Sequence, residues 1–177
     1  MSTGWKIYWV VVAATVANYL VMILWSLPLV SEMAGGSVPF DMRPSGYSYE
    51  EALVFLEAIN DSGRNFYLNT QHVLDFFYPS LLAVTLAIPL IHLMPRYFGW
   101  PLAAIAIGAA ASDHFENSAV AAMLKLGPAS ITESMVSTAS TWTMAKSVST
   151  IIASVALLIA LGINGVKWFK TRHNQSV

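Results

Sequence analysis

The sequence predicts an all-α integral membrane protein, a bundle of four transmembrane helices with a short amphipathic helix in the first outer loop. Three observations predict it. Of 177 residues, 56% are hydrophobic and only 11% are Asp, Glu, Lys or Arg. A soluble domain of this size ordinarily carries about 25% charged residues. The mean hydropathy is +0.58. Finally, the charges are spaced so that long uncharged stretches lie between them, each near the roughly 20 residues a membrane helix requires. The formal net charge of −1 gives no basic footprint, so no nucleic acid partner is expected. Cysteine is absent, which excludes disulfides, thiolate metal sites and cysteine nucleophiles.

The chain reads as one transmembrane domain, 1–177, with spans near 6–30, 70–94, 100–124 and 143–168 and an outer loop over 31–66. Ile7 to Ser31 forms the first uncharged run. It is too long for a signal h-region and no small-residue cleavage site follows Val30, so it is read as an uncleaved span. Phe76 to Pro95 is the core of the second, with Pro79 and Pro89 as kink sites. Trp100 to Leu124 is the third, despite Asp113, His114 and Glu116, because Trp100-Pro101 and Lys125-Leu126-Gly127-Pro128 supply interface and stop signals. Ser147 to Val166 is the fourth. The compact cluster Lys167, Lys170 and Arg172 orients both termini to the cytoplasm, in a plasma or inner membrane.

Within the outer loop, Ser48 is a candidate N-cap, with Glu50 and Glu51 in the first turn, where the helix dipole favours acids. Ala52, Phe55, Leu56 and Ile59 then recur at helical spacing, and Asn60-Asp61-Ser62-Gly63 ends the helix. Asn60-Asp61-Ser62 also fits a glycosylation acceptor. Ser130 and Glu133 have capping-box spacing. A helix from there to Phe169 exceeds a bilayer, so it either projects beyond the membrane or breaks near Thr138 to Thr143.

The chemistry-bearing residues lie inside these spans. An ionisable group at membrane depth is costly unless paired or hydrated, and tends to be functional. Asp113, Glu116 and Asn117 stand at i, i+3 and i+4 and share one helical face. His72 and Asp75 are i, i+3 neighbours on the second span, and Lys146 opens the fourth. The topology brings His72, Asp75, Glu116, Asn117 and Lys146 to similar depth in the outer half of the bilayer, with Asp113 beneath them near the midplane and Arg64, Tyr67 and Gln71 at the mouth. Three carboxylates against one lysine leave excess negative charge, which calls for bound protons or a cation. Asp113, Glu116 and Asp75 are therefore the candidate catalytic residues for acid–base chemistry. His72, Asn117, Lys146, Arg64 and Tyr67 are the candidate substrate-binding residues. The structural alternative is that the acids only pair with Lys146 and Arg64 and fix helix register.

No metal is assigned, since D-x-x-E-N and H-x-x-D depart from the repeated E-x-x-H of di-metal bundles. His72 and His92 are too far apart to share a haem, and a His72/His114 haem has no support. No cofactor follows from any motif: H-E-x-x-H, G-x-S-x-G, a P-loop and a dinucleotide fingerprint are all missing. A small polytopic bundle with intramembrane His, Asp and Glu is similar in architecture to membrane enzymes of the sterol-isomerase type, a likeness that carries no residue over. The expected function is binding, or acid–base action as an isomerase, cyclase or hydrolase, on a hydrophobic lipid- or isoprenoid-like small molecule. Two alternatives are a non-catalytic subunit or chaperone that meets a protein partner through the outer loop, and a proton, cation or metal-ion pathway. Against the pathway, Leu102 to Ala111 is entirely apolar or Gly.

Overall fold

The computed structural model describes residues 2–173. It is all-helical, 87% helix, with no strand among the described residues. The described residues form five helices: α1 (Thr3–Met33), α2 (Tyr49–Ala58), α3 (Asp61–Leu93), α4 (Arg96–Leu126) and α5 (Glu133–His173). Three of them, α1, α3 and α5, are long and apolar enough to cross a membrane. The fourth expected span, α4, is 31 residues long but falls short of that apolarity. Asp113, His114, Glu116 and Asn117 interrupt it. In the most apolar stretches of α1 and α5 only 11% of residues are buried. Their large side chains, Val10, Leu24, Ile151 and Leu158 among them, face outward. An apolar surface so extended is unsuited to water and suited to lipid.

Local signals explain the helix ends. Ser48 caps α2 in a capping box, taking the Glu51 amide while the Glu51 carboxylate takes the Ser48 amide at 2.7 Å. The stripe read from the sequence, Ala52, Phe55, Leu56 and Ile59, is buried. Ile59 closes α2, its amide on the Phe55 carbonyl, and Asn60 caps α3, its Oδ1 accepting from the Gly63 amide at 2.8 Å. The second long helix therefore starts at Asp61, well before the expected residue 70. The start of α5 differs from expectation too. Thr132, rather than Ser130, takes the amide of Met135. From Glu133 the helix runs unbroken for 41 residues, about 60 Å at ~1.5 Å per residue. The alternative, a break near Thr138 to Thr143, does not occur: Thr138 and Thr141 bond back to the carbonyls of Ser134 and Ser137 within the continuous helix.

Two helices contain a wide turn with i→i+5 bonding, Met22–Ser26 in α1 and Tyr67–Gln71 in α3, and these turns touch. In an ordinary α-helix a four-residue step overshoots a full turn by about 40°. The wider turn removes most of that overshoot between Tyr67 and Gln71. Tyr67, Gln71 and Asp75 are thus all buried on one side of α3.

α3, α4 and α5 pack on one another along their length, and α1 packs chiefly on α3. Two apolar cores result. One, built on Phe40, Phe55, Leu56, Met123, Leu124 and Val136, joins α2 and the loop before it to the ends of the long helices. The other, Leu86, Leu90, Ala106 and Ala153, lies toward the opposite end. Arg64 ties the first core together, donating to the Leu124 carbonyl at 2.9 Å and the Leu56 carbonyl at 3.3 Å. Replacing it leaves the last carbonyls of two helices unmet. Arg64→Met is expected to destabilise the protein by about 2–3 kcal/mol, read as a lower denaturation midpoint in detergent.

Candidate functional site

The site lies between the two cores, where the charges of α3, α4 and α5 converge. Lys146 of α5 is its centre. Its Nζ stands 2.5 Å from Glu116 Oε2 and 3.3 Å from Asp113 Oδ1, both on α4. The i, i+3 spacing of the two acids lets one ammonium reach both. The three groups differ in access. The Glu116 side chain is 0% exposed, whereas Asp113 and Lys146 keep 17% and 14%. Glu116 is also held by Thr143, one turn before Lys146 on α5, whose hydroxyl donates to Oε1 at 2.8 Å. Glu116 thus forms the closed back of the site and Asp113 its front.

Asp75 arrives from α3. The buried amide of Gln71 donates to both its oxygens, at 2.9 and 3.0 Å. Asn117 donates to the Asp75 backbone carbonyl at 3.1 Å, a bond that ties α3 to α4. A carboxylate absent from the expected set joins them. Asp41, in the loop before α2, accepts a short hydrogen bond from the Tyr67 hydroxyl. Its charge acts on Asp75, Asp113, Glu116 and Lys146. The loop is pinned by Phe40, fully buried against Tyr47 and Phe55 with ring centroids at 4.8 Å. Arg43 folds back on the Val38 carbonyl with two donors. Gly46 turns the chain at φ +84°, where a Cβ would stand 2.6 Å from Ser140 Oγ, so the loop presses directly on α5. Burial, with the charge of Glu116 adding to it, pushes the phenol of Tyr47 up, so this residue at the loop's end stays a neutral hydroxyl. The sequence hint of Asp41 is its place inside an apolar patch of the loop, Val38-Pro39-Phe40 before it and Met42 after it.

These groups surround a cavity of about 400 Å³. Its polar end is formed by Asp41, Asp75, Asp113, Lys146, Ser147 and Thr150. Its apolar part is formed by Met22, Ile23 and Leu27 of α1, Leu82 of α3 and Ile151 of α5. α1 and α5 both line it without packing closely on each other. On the far side of Asp113 the small residues Ala106, Ala109 and Ala110 leave a void of only about 10 Å³.

The structure brings Asp75, Asp113, Glu116, Lys146 and Tyr67 together and leaves other candidates outside. His72 lies on a different face of α3, in a surface groove with Phe76 and His114. The reason is angular: Gln71 and Asp75 face inward, and the neighbour of Gln71 is turned about 100° away. Arg64 serves helix ends, as described. Among the described residues no three His, Asp or Glu side chains are grouped to hold a metal ion. No family model, curated protein or solved structure matches the chain.

Lys146→Met strands two carboxylates, one of them fully buried. It is expected to cost about 3–5 kcal/mol, measured by chemical unfolding in detergent. Adding Glu116→Gln to it should restore much of that loss, which distinguishes an uncompensated charge from lost packing.

Proposed function

We propose that the chain is a multi-pass membrane protein in which α4 is the fourth crossing helix beside α1, α3 and α5, with both termini cytoplasmic. In this reading its cavity receives a hydrophobic, lipid- or isoprenoid-like small molecule and subjects it to acid–base chemistry. The observation that carries the reading is the cavity itself. It has apolar walls from three helices and ends on Asp113, whose second oxygen has no partner among the described residues. A ligand pocket is characteristically apolar with a few convergent polar groups.

Roles follow from access. Asp113 faces the ligand and exchanges the proton. Glu116, buried behind it and sharing Lys146, sets the proton affinity of Asp113 through that shared cation. Asp75 adds a further carboxyl group from the opposite wall. Where α1 and α5 stand apart, the ligand passes laterally from the bilayer. The closed packing below Asp113 weighs against a continuous proton or cation path, because a 10 Å³ void is too small for a file of waters.

Protein purified from its own membranes is expected to carry a hydrophobic molecule in near-stoichiometric amount, detected by mass spectrometry of the extract. Leu82→Trp, which fills the apolar wall, should expel it. Asp113→Asn should weaken retention by about ten- to a hundredfold. Glu116→Gln, which does not line the cavity, should retain a chemically different, unprocessed species. If no such molecule accompanies the protein, the binding role is wrong. If wild type and Glu116→Gln hold the same species, the acid–base role is wrong.

A further inference from the structure

We infer that the cavity selects an amphiphile with a cationic, hydrogen-bond-donating head, a protonated amine above all, over one with an anionic or neutral head. This rests on the reading of the cavity as a hydrophobic-ligand site. Three independent features of the polar end point the same way.

The first is charge. Asp41, Asp75 and Asp113 line the cavity with Glu116 directly behind, and Lys146 is the only basic residue among the lining groups. Its ammonium is already engaged by Glu116 and Asp113. An anionic head would meet carboxylates with no free cation, in surroundings where apolar walls weaken screening.

The second is the balance of donors and acceptors. Asp113 Oδ2 and Asp41 Oδ1 have no hydrogen-bond partner among the described residues. Ser147 spends its hydroxyl proton on the Thr143 carbonyl and offers the cavity only lone pairs. The Gln71 side chain, 0% exposed, holds Asp75 through its amide nitrogen and leaves Oε1 beside that carboxylate unpartnered. A buried acceptor left unmet is costly. The hydroxyls of Thr150, Tyr19 and Tyr78 line the same cavity, but each brings one uncharged donor, whereas an ammonium brings three donors and a positive charge to the open carboxylate oxygens.

The third is aromatic. Tyr19 of α1 and Tyr78 of α3 line the same cavity as a stacked pair, centroids 5.9 Å apart. Ring faces attract a desolvated cation and do nothing for a carboxylate.

The test uses full-length protein in phosphatidylcholine nanodiscs, with an environment-sensitive hydrophobic fluorophore seated in the cavity and displaced by dodecylammonium, dodecanol or dodecanoate. Leu82→Trp supplies the blank for partition into lipid. Dodecylammonium is expected to displace the fluorophore at a concentration at least about tenfold lower than either competitor. Asp41→Asn and Asp113→Asn, each checked for retained helicity, should each shrink that preference. Equal displacement by all three, or preference for dodecanoate or dodecanol, overturns the head-group assignment and leaves the hydrophobic-ligand reading standing. A preference unchanged in both Asn variants overturns it equally, since the selecting groups would lie elsewhere. If Leu82→Trp behaves as wild type, the cavity is not the binding place and the underlying reading fails with it.

Discussion

The ammonium of Lys146, held between Glu116 and Asp113, is the contact on which the rest of the bundle's polar architecture depends. A fully buried carboxylate has no water to solvate it, so a neighbouring cation must be fixed beside it. That requirement sets the register of α5 against α4. Thr143 reinforces it one turn away by bonding the other oxygen of Glu116. With α4 and α5 locked at that depth, Asp113 has to sit one helical turn from Glu116 and face the gap toward α1. The same lock explains why small residues, Ala106, Ala109 and Ala153, occupy the helix contacts beyond it. Close approach there lets the ion pair form without strain.

Much of this was legible in the sequence because helical spacing carries it. Asp113 and Glu116 were readable as one face from their separation alone, and Lys146 as their partner from its position at the head of an apolar run. The cap at Ser48 and the stripe from Ala52 to Ile59 were equally local. The readings that differed involve signals that can be used in two ways. Asn60-Asp61-Ser62-Gly63 looks like a stop, yet α2 already ends at Ile59 and Asn60 is the cap of α3. Ser130 and Thr132 both offer a hydroxyl near the start of α5, and it is Thr132 that takes the Met135 amide.

The site residues that sequence reasoning grouped differently or missed have separate causes. His72 and Asp75 stand in a regular stretch of α3, and the angle of about 60° between i and i+3 is enough to put His72 in the outer groove while Asp75 is buried. The wide turn at Tyr67–Gln71 precedes them, and nothing in single-residue propensity marks such a turn. Asp41 reaches the cavity by tertiary contact, through the burial of Phe40, which no periodicity encodes.

Asp41 also gives the chamber an unusual composition of wall. Long helices with lipid-suited surfaces form most of it, but one side is a stretch of loop anchored by its own contacts, Arg43 on Val38 and Gly46 against Ser140 of α5. One of the chamber's carboxylates is therefore placed by loop packing and not by helix register, so its seat is independent of how the long helices are set against one another.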